Sequence, residues 1–439
     1  MSSQKLRIAI VGGGIGGLTL AVALSNLHLD EHIQVDIYES TAKLTQVGAG
    51  ITLWPRGREI LKNMGLEESL AERLSADQEL PVLGIPKLAF IIRKSDKKNG
   101  DLISEAMLPG GSISIHRADV QEVLLKHISP SIKFHLSHRL RTYRQTTDGV
   151  VLEFKNDETA VCDLLVGADG INSTVRQTFL AEGRDWSEEE KVKQAAPIWS
   201  GTYVYRDLID SEVIKSEWPN HRALTEPMVY CGKNKHIVAY PVRQGKFVNV
   251  VIFLSYREME GTYHTGPAAV ESTPNDCMPH FIDWEDEAVA LVKYTTKPSK
   301  WAIQTTKPLN SYAEGRVLLL GDAAHAMTLH LGNGAGQAME DAYFLANILE
   351  KAIHQGKPDV LKLARIYSTV RQPFVNFVVQ ASRNQGLLYE LNAPGLENLK
   401  DGDDVPRDKL DNLAGLIRKG WDWTWKSADD DLQRALSML

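Results

Sequence analysis

Three glycine-rich turns carry the residue types that hold an electron-rich ligand, and each follows a short apolar run. The first, Gly12-Gly13-Gly14-Ile15-Gly16-Gly17, sits directly behind Ile8 to Val11 and satisfies G-x-G-x-x-G through Gly12, Gly14 and Gly17. A strand before it, a helical pattern after it, and Glu39 closing the next apolar run from Val35 to Tyr38 make this weak motif a dinucleotide site. Its glycines and Ile15 bring a pyrophosphate onto a helix N-terminus, and Glu39 accepts from both ribose hydroxyls. An intact 2′-hydroxyl follows, so this nucleotide is not NADP. The second turn lies in GDAAHAMTLHLGNGAGQAMEDA, from Gly321 to Ala342, where Leu318 to Leu320 run into Gly321 and Asp322. Beyond a loop, Gly332, Gly334, Ala335 and Gly336 open a segment whose Ala338, Met339, Ala342, Leu345 and Leu349 repeat at helical spacing. The third is GADGINSTVR, with Asp169 and Gly170, behind Leu164 to Val166.

The elements that must position these turns read as strand, turn and helix in repetition, the pattern of an α/β sheet with ligands at its carboxyl edge. A further glycine-rich loop, Val47-Gly48-Ala49-Gly50-Ile51, leads to a helix with Ile60, Leu61 and Met64. Arg117 begins a helix bearing Val120, Val123, Leu124 and Ile128; it either clamps a phosphate or is a solvated arginine. From about 181 to 300 the pattern changes to alternating runs, with strands expected at Thr202 to Leu208, Met228 to Cys231, His236 to Pro241 and Phe247 to Leu254. A period of two puts His236, Val238 and Tyr240 on one face, and Tyr203 with Tyr205 on one face of theirs. Such side chains line a pocket or pack between layers. Leu361 to Tyr367 and Phe374 to Val379 suggest two covering helices, and Trp421, Trp423 and Trp425 packing anchors.

The chain has 439 residues, a formal charge of -7, 43% hydrophobic and 24% charged residues. These are globular values; interspersed charges argue against a nucleic-acid surface, and no apolar segment is long enough to span a membrane. Three distant cysteines, Cys162, Cys231 and Cys277, fit a reducing compartment. A cytoplasmic location is expected, with a peroxisomal one as the alternative because Ser437-Met438-Leu439 differs from S-K-L only in its middle residue.

Taken together, the three motifs in this order resemble the class A flavoprotein monooxygenases, the family of para-hydroxybenzoate hydroxylase and salicylate hydroxylase, over most of residues 5 to 380. The resemblance implies a Rossmann-like FAD-binding domain (1–75, 111–180 and 301–350), an inserted, mostly antiparallel-sheet substrate domain (76–110 and 181–300) and a C-terminal helical region (351–439). It implies FAD on Gly12, Gly14, Ile15, Gly17, Glu39, Gly50, Ile51, Gly332, Gly334 and Ala335. Asp169-Gly170 is tied to both FAD and the nicotinamide cofactor, Gly321-Asp322 to the ribityl chain, and Arg117 to the pyrophosphate. NADH or NADPH is the co-substrate, bound without a second Rossmann domain, and no metal is required. His135 and His138, in an expected strand, read as structural or exposed.

The implied reaction is hydroxylation of a phenolic aromatic, a hydroxybenzoate-like acid, with O2 and through a flavin C4a-hydroperoxide, decarboxylating where attack falls on the carboxylate-bearing carbon. Arg206, Tyr230, His236, Tyr240 and His330 are the candidates for holding carboxylate or phenol, although Arg206 projects opposite to Tyr205 and either faces the substrate or pairs with a surface acid. A same-fold epoxidase, oxidase or reductase is the alternative activity, and a monomer or homodimer the expected state. Relatives of this kind usually carry proline at Leu329 and often glutamine at Leu331, so the loop beside the reacting ring departs from the pattern here.

Overall fold

A computed structural model describes residues 5–44, 50–74, 82, 84–356 and 358–439; the Val47-Gly48-Ala49 part of the glycine-rich loop lies outside the described residues. After Arg7 the first strand is wholly apolar, as suits a strand covered on both faces in a parallel sheet. Leu6–Val11 lies inside a six-stranded sheet ordered Ala313–Glu314, Val317–Leu319, Leu164–Gly167, Leu6–Val11, Ile33–Tyr38, Lys133–His135. Every neighbouring pair is parallel except the first. The register sets Val11 beside Gly167, and Gly167 beside Leu319, so three strands end at one level. The three glycine-rich turns therefore emerge side by side at the carboxyl edge.

Helices Ile15–Asn26 and Gly334–His354 lead away from two of those turns and pack closely on each other. A Cβ on Gly16 would meet Leu320 Cδ2 at 2.6 Å and the Ala338 Cβ at 3.3 Å, so the glycine sets how near the two helices come.

The second sheet has eight strands, ordered Ala269–Glu271, Ser299–Thr305, Ile198–Asp210, Phe247–Ser255, Lys235–Val242, Met228–Gly232, Pro86–Lys94, Asp101–Pro109. All pairings are antiparallel except that of Met228–Gly232 with Pro86–Lys94. One face packs Tyr205, Tyr230, Ile237, Ile252 and Leu254 against Phe281, Trp284 and Leu291. The other face turns toward the first sheet. A boundary at residue 301 cuts through Ser299–Thr305, which pairs along Ile198–Asp210 and so belongs to this sheet.

Two expectations about local structure need correcting. The strand near His135 ends there, because Ser137 has φ +59° and breaks the extended run, leaving His138 outside it. The C-terminal cover holds one continuous 30-residue helix, Val360–Tyr389, where two helices were expected. Pro373 lies inside it; proline keeps a helical φ, and burial of Val370, Arg371, Val375 and Val378 on both sides outweighs the lost N–H bond. Helices Arg407–Gly420 and Asp429–Leu436 complete the cover. The architecture is α/β: a Rossmann-like domain, an inserted and mostly antiparallel sheet, and C-terminal covering helices. Among the described residues no helix is long and apolar enough to cross a membrane.

Candidate active site

A cavity of about 520 Å³ lies where the carboxyl edge of the parallel sheet meets the open face of the antiparallel one. At one end its wall is backbone. Gly14, Ile15 and Gly16 reach it from the first turn, Gly170 from the third, and Gly321, Asp322, Gly332, Gly334 and Ala335 from the second, with Gly50, Ile51 and Arg117 alongside. Gly12 lies behind them at φ +113°, where a Cβ would stand 2.3 Å from Ala168 O; only glycine makes that turn. A Cβ on Gly17 would come 2.1 Å from Gly12 O. Helices Ile15–Asn26 and Gly334–His354 both begin at this end with no side-chain cap and no acid in the first turn, so their first N–H groups and positive dipole ends face the cavity. Glu39 Oε2 accepts from Gly13 N at 2.8 Å, and Oε1 from Thr41 N at 2.8 Å. Burial would raise its pKa, but these hydrogen bonds outweigh it and hold Glu39 below the usual carboxylate range.

The turns are locked from behind by charged side chains. Asp169 does not line the cavity: its carboxylate caps the following helix, taking Thr174 N at 2.7 Å, Val175 N at 3.1 Å and Ser173 Oγ at 2.5 Å. Asp169, expected among the cofactor-binding residues, thus supports the Gly170 turn from behind and is not itself on the cavity wall. Arg176, buried in the same segment, donates to Ala323 O and Ala324 O, each at 3.0 Å, and to Lys307 O. Burial pushes its guanidinium down to about 10. Asp341 receives Gly321 N at 3.1 Å, His325 Nε2 at 2.6 Å and Arg371 Nε at 2.8 Å, and Arg371 also binds Glu340. Arg56 closes this buried network with Glu340 at 2.7 Å.

The other end is walled by side chains of the antiparallel sheet. Val229, Val238, Val251 and Phe253 make it apolar, while Arg206, Tyr240, His236 and His330 bring the polar groups. Arg206 pairs with Val251 in the strand register and has no ion-pair partner among the described residues, so the reading in which it meets a surface acid falls. Burial lowers its pKa, opposed by Tyr240; burial raises that of Tyr240, opposed by Arg206, so the two groups sense each other. His236, fully buried, stacks on Phe253 at 4.0 Å between centroids, and His330 stands 5.3 Å from both rings. Burial, with His236 and Arg257 nearby, lowers His330 to about 3. Leu329 is 41% exposed on the cavity wall while Leu331 is 1% exposed, its carbonyl accepting from Trp54 Nε1 at 2.8 Å.

Tyr230 is not part of this wall. Its strand partner is Ile237, whereas His236 lies opposite Cys231, so the two-residue period sends Tyr230 into the far core. Sequence reading also missed Trp421, which lines the cavity and lies 4.4 Å from the Trp54 ring; three alternating tryptophans gave no hint of which one faces inward.

Comparison with known proteins turns this geometry into an assignment. The family described as "FAD binding domain" matches residues 5–382. The chain belongs to this family of FAD-dependent aromatic monooxygenases. A salicylate hydroxylase of Pseudomonas putida is 34% identical over 452 aligned positions, covering 100% of this chain and 97% of the relative. A 6-methylsalicylate 1-monooxygenase of Aspergillus terreus is 30% identical, covering 96% of this chain and 90% of the relative. A solved salicylate hydroxylase substrate complex superposes with a TM-score of 0.81 at 28% identity, covering 98% of each chain.

FAD is the cofactor of this monooxygenase, and the residues present fit it. Two uncapped helix N-termini offer unpaired N–H donors at one end of a single cavity, and the exposed Arg117 has no ion pair among the described residues. Nothing lies within 4 Å of where a Cβ on Gly14 would be, so the backbone is open to a ligand there. NAD(P)H and O2 are its co-substrates and a small aromatic molecule its substrate.

Proposed function

We propose that this FAD-dependent monooxygenase hydroxylates a hydroxybenzoate-type acid, with salicylates first in line because the full-length relatives named above act on them. One observation carries the reading: the Arg206 guanidinium lies on an apolar cavity wall with no acid to pair with among the described residues. A half-buried cation in that setting is matched by a ligand carboxylate, which forms charge-assisted hydrogen bonds that a neutral ring cannot.

Gly12, Gly14, Ile15, Gly17 and Arg117 would hold the FAD pyrophosphate, Glu39 the ribose, and Gly321-Asp322 the ribityl chain. Gly50, Ile51, Gly332, Gly334 and Ala335 would form the surroundings of the flavin ring, and Gly170 would border it. Bound FAD, reduced by NAD(P)H, supplies the electrophilic oxygen that is transferred to the aromatic ring. The chain does the rest. Val238, Val251 and Phe253 hold the ring and exclude water, so that oxygen is delivered to carbon and not lost as peroxide. Arg206 and Tyr240 receive the carboxylate and fix the ring's orientation. Ionising the phenol makes the ring electron-rich, and the nearby imidazoles take its proton. Burial lowers both imidazoles, His330 to about 3, but at His236 a carboxylate hydrogen bond works against the burial, so His236 is the better base, with His330 beside it. Oxygen delivered to the carboxylate-bearing carbon would release carbon dioxide.

The test is a screen of hydroxybenzoate isomers for stimulated NAD(P)H oxidation, with products identified by mass. The expected result is strong stimulation by one or a few isomers and a hydroxylated product equal to the oxygen consumed. Stimulation only by neutral phenols would overturn the role given to Arg206.

A further inference from the structure

His236 has a partner that no sequence motif announces. Glu390 follows directly on helix Val360–Tyr389, is 0% exposed, and brings Oε1 to 3.1 Å from His236 Nδ1 across 154 residues of chain. The same oxygen accepts from Ser255 Oγ at 2.9 Å, and Oε2 accepts from Arg257, whose side chain is 21% exposed. On the far side of the ring, His236 Nε2 has no hydrogen-bond partner, and neither does Nδ1 of His330. The His330 ring fits against the helix end because residue 386 is glycine; a Cβ there would stand 2.4 Å from His330 Nε2.

We propose that Glu390 is the positioning residue that makes His236 a proton acceptor, holding Nδ1–H so that Nε2 receives the phenol proton and neutralising the imidazolium that forms. This rests on the substrate being a phenolic acid. An ionised carboxylate can only accept hydrogen bonds, so His236 must carry its proton on Nδ1. Burial would raise the Glu390 carboxyl, but the His236 hydrogen bond and Arg257 outweigh it and bring it down to about 2, so it is ionised across the working range. In the transfer the phenol O–H bond breaks, its electron pair stays on the phenolate oxygen, and the proton goes to Nε2. The groups facing His236 are Glu390 and Tyr389 from the helix end, Arg257 from the turn after Phe247–Ser255, His330 from the loop, and the Cys231 thiol opposite it in the sheet. Of these, only Glu390 stabilises a positive ring by its charge. A carboxylate serving Arg257 alone would need no imidazole at its other oxygen.

The experiment titrates the FAD-loaded protein, without NAD(P)H, with a nitro-substituted hydroxybenzoate whose phenolate absorbs visible light. Perturbation of the flavin spectrum reports binding, and the phenolate band against pH reports ionisation. In the parent protein the bound phenol is expected to ionise at lower pH than the free acid. Glu390→Gln is expected to bind but to move that midpoint up by about one pH unit or more, with Glu390→Asp intermediate. Ser255→Ala, which removes a donor competing for the Glu390 oxygen that faces His236, is expected to shift it the opposite way, down by a few tenths, and it stands in if Glu390→Gln loses FAD. An unmoved midpoint in a variant that still perturbs the flavin would overturn the proposal alone. No flavin perturbation by any hydroxybenzoate in the parent protein would overturn the substrate reading, and the proposal with it.

Discussion

At the cofactor end of the cavity the ligand-facing groups are backbone N–H donors of Gly14 to Gly16 and Gly334 to Gly336; at the substrate end they are side chains of Arg206, Tyr240, His236 and His330. Backbone recognition needs only that side chains be absent at fixed positions of one continuous turn. Side-chain recognition needs two strands and a loop to be brought into register. Each end should therefore fail in its own way, the first by losing the cofactor, the second by mishandling the substrate while the flavin stays bound.

The largest expected effect is at the first end. Gly12→Val forces a branched side chain into φ +113° and against Ala168 O, and is expected to yield colourless protein, measured as the flavin-to-protein absorbance ratio. Retained flavin would break the comparison at its root. At the second end, Arg206→Met is expected to keep the yellow flavin spectrum while raising KM for a hydroxybenzoate about a hundredfold, with little change for the corresponding neutral phenol. Steady-state kinetics on the matched pair decides it.

A third expectation concerns pH. His330 lies near 3 in the fold against an ordinary 6.5. Below pH 6.5 the unfolded chain binds a proton there that the folded one does not, so this contribution is whole above 6.5 and is lost as pH falls toward 3. Thermal melts over that window should show the decline, and His330→Gln should flatten it. A smaller effect is expected from Leu329→Pro, which stiffens the loop at a 41%-exposed cavity position and removes an N–H: the ratio of product to NAD(P)H consumed should change by about twofold or less, with FAD unaffected. The smallest is Tyr230→Phe. Because Tyr230 faces the far core, KM should stay at the parent value, and a raised KM would mean the sheet's two faces are assigned wrongly.

The same contrast explains what the sequence made legible. Gly12, Gly14 and Gly17 are read from one stretch because strand, turn and helix follow each other in the chain, whereas the side-by-side placement of the three turn-bearing strands, far apart in sequence, was carried by the family resemblance. Arg206, His236 and Tyr240 could be placed on faces by the two-residue period, but which face meets the cavity depends on how a whole sheet sits against another. Tyr230 failed for that reason, and Arg206 stayed undecided. Asp169 was misread because a carboxylate at a helix start caps the helix as readily as it binds a ligand. Glu390, Asp341 and Arg371 act through tertiary contacts across tens to hundreds of residues, and no local pattern marks them.

The most direct test of the central claim, that one cavity joins FAD to a hydroxybenzoate-type acid for oxygen transfer, is mass spectrometry of the product formed under heavy-isotope dioxygen. Turnover of the isomer that best stimulates NAD(P)H oxidation should give an aromatic product carrying one heavy oxygen atom, in an amount matching the NAD(P)H consumed. Product without the label, or oxidation that yields only hydrogen peroxide with every hydroxybenzoate, would contradict it.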